Sequence, residues 1–263
     1  MMFSFEVLEQ NLRAALSVFG RARPQAEVCE LPGLLVVCAG VYFSTFNAVL
    51  LTEPAERADE LRRRLEAAER YFRLRKLPWS LWLCEEWLEK PLRRNAMGVL
   101  ESAGLRWLIS MPGMAAAHLA PLTRTLPGLT FRAVEDEQTR RAFERIMTGA
   151  FDVPTSIAHQ IYGAVETWQD GLSGWVGYLG NLPVTCAATR VAAGVIGLYA
   201  VGTLPAFQRR GCAEAVARYA IEQAQAASGL SSSVLQSTPA GLRLYRRLGY
   251  QTVAHYSVYA AYP

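Results

Sequence analysis

The sequence "VGTLPAFQRRGCAEAVARYAIEQA" (residues 201–224) holds the strongest indication of how this chain folds. An apolar run ends at a Thr-Leu-Pro corner, two arginines and a glycine follow, and an amphipathic pattern then begins. Alanine, valine and isoleucine recur there at the 3.6-residue spacing of a helix with one buried face. The stretch therefore predicts a strand, a short loop, and a helix that begins near Gly211.

The loop in this stretch is suited to binding a phosphate group. A helix N-terminus carries unpaired N–H groups and the positive end of the helix dipole, so anions bind there. Gly211 has no Cβ, which lets the backbone approach a ligand closely. Arg209 and Arg210 add positive charge that can meet a diphosphate. The loop is neither GxxxxGK[ST] nor GxGxxG, which disfavours nucleotide hydrolysis and dinucleotide binding.

The loop and its surroundings resemble a known family, the GNAT superfamily of N-acetyltransferases. The family's acyl-CoA pyrophosphate loop has the pattern Gln/Arg-x-x-Gly-x-Gly/Ala. The preceding "VGTLPAF" is similar to the family's strand-to-loop entry, and "LQSTPAGLRLYRRLGY" (residues 235–250) to its strand, helix and LYxxLG ending. The resemblance covers residues 129–263. The loop residues are Gln208, Arg209, Arg210, Gly211, Cys212 and Ala213.

This resemblance implies an activity and a role for several residues. Acetyl-CoA would be the acyl donor, and a primary amine would attack its thioester directly. The backbone of Val201 and Thr203 would pair with the pantetheine arm, while an N–H near Val201 would polarise the carbonyl. The N–H groups of residues 208–213 would hold the diphosphate. Tyr245 matches the family tyrosine that protonates the departing sulfur.

No single residue is identified as the base that this reaction needs. An amine with a pKa near 10 is only about one part in a thousand neutral at pH 7. Four candidates lie in the segment that covers the acceptor site in relatives, and no motif fixes their geometry: Asp152, His159, Glu166 and Asp170. Cys212 is predicted to be a small packing residue, because no motif places a base beside it. Isolated histidines give no metal site.

A weaker copy of this order precedes the second half. Residues 34–51 predict two strands and residues 54–76 an amphipathic helix. Then "WSLWLC" predicts a strand, "NAMGVLESAG" a helix and "LRWLISMPGM" a strand. Aligning "GVLESAGLRWL" with "RLYRRLGYQTV" matches Leu100 with Tyr245 and places a glycine at the same point in each half. The whole chain therefore resembles a tandem-GNAT protein.

The first half lacks the features that a donor site needs. Where the phosphate loop should stand, the chain reads "TEPAERADELRRR" (residues 52–64), with a proline, several carboxylates and no glycine. Such a surface is unfavourable for a diphosphate. The position of the tyrosine is Leu100. We expect this half to serve as a scaffold, a wall of the acceptor site or a dimer surface.

These patterns define the fold class and the domains that we predict. The fold class is α/β, more narrowly an α+β mixed sheet, with two GNAT-like domains in tandem. Each domain is expected to be a mostly antiparallel twisted sheet flanked by helices. The stretch "LAPLTRTLPGLTF" (residues 119–131) contains two prolines and a glycine, so we place the boundary near Pro127. Residues 1–126 form the degenerate domain and residues 127–263 the catalytic one.

Composition narrows the classes of partner. Of the 263 residues, 51% are hydrophobic and 19% charged, which is typical of a globular protein. The net charge is only +4 and arginines alternate with glutamates, which disfavours a nucleic-acid partner. Five scattered cysteines without a CxxC pair favour reduced thiols in the cytoplasm over disulfides or zinc.

One uncharged segment, residues 31–52, is long enough to cross a bilayer. Polar residues in its middle and frequent β-branched and aromatic residues favour two buried strands joined near Gly40. The N-terminus lacks a basic region followed by an apolar core, so we expect no signal peptide. We therefore expect no membrane association.

Two other functions remain open at this point. A non-catalytic acyl-CoA-binding or sensing protein would keep Gly211 without depending on Tyr245. A scaffold would use both halves for assembly and bind no CoA. Small metabolites, amino acids, antibiotics and protein N-termini are all open as acceptors, and so are an acyl group other than acetyl and a homodimer.

Overall fold

The computed structural model describes residues 3–169 and 171–263, and its strands form one sheet. The strands are β1 (Glu27–Leu31), β2 (Leu34–Cys38), β3 (Asn47–Leu51), β4 (Trp79–Cys84), β5 (Arg106–Ala116), β6 (Thr130–Ala133), β7 (Leu172–Leu179), β8 (Leu182–Ala192), β9 (Val195–Thr203), β10 (Ser233–Gln236) and β11 (Gln251–Ala261). The helices are α1 (Phe5–Ser17), α2 (Ala58–Arg75), α3 (Lys90–Ser102), α4 (Glu137–Phe151), α5 (Thr155–Tyr162), α6 (Glu166–Gln169), α7 (Cys212–Ser228) and α8 (Leu242–Arg247).

The mixed α/β fold class is confirmed. In the order β1-β2-β3-β4-β11-β5-β10-β9-β8-β7-β6, the pairs β3–β4 and β9–β10 are parallel and the other neighbouring pairs are antiparallel. Helices pack against the sheet, with α4 and α7 against β8 and β9 and α1 near the middle of the sheet.

The arrangement of the two halves differs from two separate sheets. Strand β11, which ends the second half, lies between β4 and β5 of the first half. Strand β5, which ends the first half, lies between β11 and β10. Each half thus completes its sheet with the last strand of the other. The exchange has a physical reason, because one continuous sheet has two edge strands where two sheets would have four unpaired edges.

The sequence of residues 155–168 predicts one helical stretch, which the structure divides into two helices. Helix α5 ends at Tyr162, and α6 begins at Glu166. A Cβ on Gly163 would lie 2.4 Å from the carbonyl oxygen of His159, so the chain turns there through a residue without a side chain. The Thr167 hydroxyl donates to the free carbonyl of Ile161 (2.6 Å), which satisfies the end of α5.

The uncharged segment forms β2 and β3, which pair antiparallel. Asn47 holds the connection between them, because its Nδ2 donates to the carbonyl oxygens of Val41 (2.7 Å) and Pro78 (2.8 Å). Among the helices of the described residues, none combines the length and the apolar character that crossing a membrane requires.

Helix α1, which the sequence patterns did not predict, joins the halves. Its Asn11 Nδ2 donates to the carbonyl oxygens of Ala192 (2.9 Å) and Val195 (3.1 Å) at the β8–β9 turn. Its Glu9, fully buried, accepts a hydrogen bond from Nε1 of Trp87 (3.0 Å) in the first half. Buried polar groups stabilise a fold when they are paired, so these bonds fix α1 against both halves.

Candidate functional site

The sheet opens between β9 and β10. These parallel strands pair only at Ile196 with Ser233 and at Gly197 with Val234. Beyond that point β9 continues along β8 and β10 continues along β5. The resulting cleft leads into a cavity of about 360 Å³ whose lining includes Val201.

Strand β9 carries a bulge beside this cleft. Tyr199 pairs with Ala188 and Gly202 with Cys186, so β9 has one residue more than β8 in this interval. Ala200, in the bulge, has a φ of +50°, a conformation that is strained for a residue with a side chain. A bulge leaves a residue unpaired and interrupts the ladder. The interruption occurs at Ala200 and Val201, and Val201 is the residue predicted to bind the thioester.

The loop after β9 has a backbone suited to an anion. Arg209 and Gly211 have positive φ values of 59° and 90°. Alternation of this kind turns successive N–H groups towards one side. Helix α7 has no side-chain cap, and its first hydrogen bond runs from the N–H of Ala215 to the carbonyl of Gly211. The loop side chains of Gln208, Arg209 and Arg210 are exposed.

Two residues that are predicted to contact the donor, Thr203 and Gln208, already make hydrogen bonds within the protein. Thr203 pairs with Thr185 on β8, and its carbonyl accepts from Nε2 of Gln208 (3.2 Å). Ala213 is half-buried in the first turn of α7. Cys212 lies buried beside it, and burial raises the pKa of its thiol, so the thiol stays protonated at neutral pH.

The segment between the halves packs against the loop. A Cβ on Gly211 would lie 3.1 Å from Cδ of Pro127, and the positive φ already favours glycine there. Nearby, Glu214 is 2% exposed and accepts from Arg124 and Arg247 at 2.8 Å each. Burial opposes its ionisation, but the hydrogen bonds from both arginines hold the pKa of Glu214 below its usual range.

Tyr245 on α8 lines the same cavity as Val201. Its side chain is buried, its ring packs edge-on against Tyr250, and its hydroxyl makes no hydrogen bond to any described residue. Burial raises the pKa of Tyr245 well above its usual value, so the proton stays on the hydroxyl at neutral pH. Its counterpart Leu100 is fully buried in the first half.

Of the candidate bases within the described residues, none lines this cavity. Asp152 ends α4 at a φ of +53°, and Glu166 begins α6; both are exposed. Nδ1 of His159 lies 3.2 Å from the Glu144 carboxylate, and the His159 side chain is 70% exposed. Asp170 lies outside the described residues. Within residues 3–169 and 171–263, no group of histidines, cysteines and carboxylates could hold a metal ion.

The first half also supplies walls that sequence patterns did not predict. Leu12 and Leu16 of α1, Trp82 of β4 and Ile109 of β5 line the cavity together with residues of the second half. Helix α1 was not predicted, and strand exchange cannot be seen in a hydrophobic pattern. The alternation of apolar residues in β4 and β5 indicates which side chains are buried, but it does not show which strands become neighbours.

The corresponding cleft of the first half is closed. Strands β3 and β4 also pair in parallel at two positions only, Ala48 with Ser80 and Val49 with Leu81. Further along, the segments that follow β3 and β4 pair with each other again. The N–H of Ala55 donates to the carbonyl of Trp87 (2.9 Å), and the N–H of Glu89 donates to the carbonyl of Ala55 (3.1 Å).

Known proteins agree with this architecture. Residues 132–250 match the acetyltransferase (GNAT) family, whose fold supports acyl transfer in general. A GCN5-related N-acetyltransferase from Kribbella flavida is 22% identical and superposes with a TM-score of 0.72, covering 99% of this chain and 96% of that one.

Two further structures extend the fold comparison. A GCN5-related N-acetyltransferase from Sphaerobacter thermophilus is 14% identical with a TM-score of 0.57, covering 96% of this chain and 94% of that one. A tandem GNAT protein from the clavulanic acid biosynthesis pathway is 8% identical with a TM-score of 0.54, covering 87% and 78%. The fold of the whole chain is thus shared with GNAT proteins, including a tandem one. A search among curated proteins finds no significant match.

Proposed function

We propose that this protein is an N-acetyltransferase that transfers an acetyl group from acetyl-CoA to a primary amine. Residues 127–263 would be the catalytic domain and residues 1–126 a half that binds no donor. The observation that carries the proposal is that Val201, in the bulge of β9, and Tyr245 line one cavity at the open β9–β10 cleft. The uncapped start of α7 follows β9 along the chain.

The donor would bind along β9 and end at the loop. N–H groups of residues 208–213 and the charges of Arg209 and Arg210 would hold the diphosphate. The backbone of Val201 and Thr203 would orient the pantetheine arm. At Thr203 the carbonyl is already occupied by Gln208, so Val201 would make the larger contribution.

The chemistry requires one polarising donor and one acid from the protein. The amine nitrogen would attack the thioester carbonyl carbon and lose a proton to water, and the C–S bond would break. The N–H of Val201 would stabilise negative charge on the carbonyl oxygen. Tyr245 would give its proton to the sulfur and regain one from solvent.

The first half would shape the site without binding a donor. Its own cleft is joined at Ala55, and α1 and β5 instead form walls of the cavity in the second half. These contacts support the role of scaffold and acceptor wall that we propose for residues 1–126.

Donor affinity measured by titration calorimetry tests the proposal. We expect the pair Arg209→Glu and Arg210→Glu to weaken acetyl-CoA binding at least tenfold at low salt, because a hydrogen bond to a charged group contributes about 1.5–3 kcal/mol. The matched control is Arg62→Glu with Arg63→Glu, two exposed arginines near the start of α2, which we expect to leave affinity unchanged. Equal effects of both pairs, or none, would contradict a donor site at α7.

A sensing protein and an enzyme would behave alike in that titration. Release of free CoA thiol in the presence of an amine separates them. Binding without amine-dependent release would favour the sensor.

A further inference from the structure

The cavity beside Tyr245 is large enough for a substrate of its own. Its volume of about 360 Å³ falls in the range of small-molecule sites. Leu108 and Phe151 line it and are still 43% and 41% exposed, so the wall of the cavity reaches the surface at these residues. Val201 and Tyr245 lie on its wall, which places the predicted reacting carbonyl at the same space.

The lining of this cavity carries no charge. Among the described residues that border it, there is no aspartate, glutamate, lysine, arginine or histidine. Its hydroxyl groups are partly engaged already. The hydroxyl of Tyr199 donates to Oδ1 of Asn11 (2.6 Å), and Oγ1 of Thr238 accepts from the N–H of Gly241 (3.3 Å).

Aromatic rings are concentrated in one part of the wall. Phe19, Phe46 and Tyr162 pack against one another edge-on, with ring centroids 5.2–6.1 Å apart, and all three border the cavity. Edge-to-face packing leaves ring edges and faces available to a further ring, and such pairs contribute beyond the area they bury. The space is therefore suited to a flat aromatic body.

Charge decides which amine fits. An alkylammonium ion would lose its water against these walls without meeting a carboxylate, which is strongly unfavourable. An aromatic amine shares its nitrogen lone pair with the ring and is neutral at pH 7, so it enters without that cost. It also needs no base to become nucleophilic, in keeping with the absence of Asp152, His159 and Glu166 from the cavity wall.

We infer that the acceptor is a neutral primary aromatic amine, whose ring occupies the cavity between the two halves. This inference rests on the proposed acetyl transfer. The nitrogen forms a bond to the acetyl carbon and releases one proton to water. The C–S bond breaks, and the sulfur takes the proton of Tyr245, which solvent restores. The products are an aromatic acetamide and free CoA.

Two isomeric amines of equal size test the inference. In 4-methylaniline the nitrogen is on the ring and neutral at pH 7, whereas in benzylamine it is on the methyl carbon and protonated. We expect kcat/KM with acetyl-CoA at pH 7 to be at least tenfold higher for 4-methylaniline. We expect its rate to stay flat between pH 7 and 9, while the benzylamine rate rises about tenfold per unit as the neutral amine increases.

A charge placed at the mouth sharpens the test. Leu108→Glu adds a carboxylate at a position that is already partly exposed, and Leu108→Gln is the neutral control of the same size. Relative to Leu108→Gln, we expect Leu108→Glu to raise the benzylamine rate several-fold and leave the 4-methylaniline rate level or lower. Identical preferences in both variants would overturn the inference.

The failures of the two proposals can be told apart. Transfer to benzylamine or glucosamine, with none to 4-methylaniline, would overturn the aromatic acceptor and leave acetyl transfer standing. Tenfold tighter binding of octanoyl-CoA than of acetyl-CoA, with slower transfer to 4-methylaniline, would assign the cavity to an acyl chain and also overturn it. Absence of acetyl-CoA binding would overturn both proposals.

Discussion

The two halves of this molecule begin the same cleft and finish it differently. In each half a parallel pair of strands makes two pairings and then separates, at Gly197 in the second half and at Val49 in the first. The second half stays open into a cavity, while the first is joined again through Ala55 and Leu88. The comparison teaches that backbone pairing can close such a cleft in the half that also lacks the loop motif.

The helices that follow the two clefts differ in the same sense. Neither α7 nor α2 has a side-chain cap, and each has a carboxylate in its first turn. In α7 it is Glu214, which is buried and paired with three arginines. In α2 the first turn has Asp59 and Glu60, which are partly exposed, and Asp59 is held by Arg57 at 2.6 Å. Carboxylates at a helix N-terminus interact favourably with the dipole and repel an incoming phosphate. The start of α7 thus has one carboxylate, which is buried, where the start of α2 has two that reach solvent.

The largest expected effect comes from the acid in the open half. We expect Tyr245→Phe to lower turnover by about 10² to 10⁴-fold, the usual contribution of a positioned general acid. Leu100→Met, a swap of similar volume at the matched position of the first half, should leave turnover unchanged. Steady-state kinetics with acetyl-CoA titration checks both. Undiminished turnover of Tyr245→Phe at neutral pH would remove Tyr245 from the mechanism.

The next effect is stabilisation by the donor. Acetyl-CoA at 100 times its Kd should raise the free energy of unfolding by about 2.7 kcal/mol, seen as a higher thermal midpoint. In hydrogen exchange, amides of residues 208–213 should gain local protection and those of residues 52–64 should not. Protection in residues 52–64 would mean that the first half also binds donor, which would contradict the difference between the two halves.

A smaller effect should come from Glu214 and Glu60, which occupy the third position of α7 and of α2. We expect Glu214→Gln to lower the free energy of unfolding by about 2 kcal/mol, because Arg124, Arg218 and Arg247 lose a shared buried carboxylate. Glu60→Gln should cost less than about 1 kcal/mol, since Glu60 is 30% exposed. Urea unfolding at pH 7 measures both, and equal losses would contradict the difference in burial.

The Glu214 carboxylate also makes the free energy of unfolding depend on pH. The pKa of Glu214 is lower in the folded protein than its ordinary value of 4.5. Its contribution is therefore fully present above that value and is lost as the pH falls through the lowered pKa. We expect the stability difference between the wild type and Glu214→Gln to shrink as the pH falls below the ordinary value of 4.5 and through the lowered pKa.

Local sequence patterns predicted the helices and strands of this fold better than they predicted which strands pair with one another. "WSLWLC" became β4 with the predicted bounds, and the dipeptides Gly180-Asn181 and Ala193-Gly194, which are typical of turns, separate β7, β8 and β9. Period and turn residues are properties of short segments, so a sequence shows them. Gly163, which divides a predicted helix, marks where tertiary contacts overrode the pattern.

The sequence predicted only those candidate site residues that belong to a short motif. The loop at residues 208–213 and Tyr245 belong to short motifs, and in the structure Tyr245 lines the cavity together with Val201, while the loop joins the end of β9 to α7. The cavity walls from α1 and β5 depend on which strands become neighbours, and alternation fixes the face of a side chain but not its partner. The acceptor class that we infer therefore rests on the three-dimensional arrangement.

The exchanged strand has a consequence for how this chain is made. During synthesis the first half emerges early, but β4 lacks its neighbour until β11 follows, on the order of ten seconds later at about 5–20 residues per second. An unpaired edge is a template for other chains. Two nascent chains on one messenger can trade their last strands and leave as an entangled pair. Production at low temperature and slow induction should favour the self-paired form.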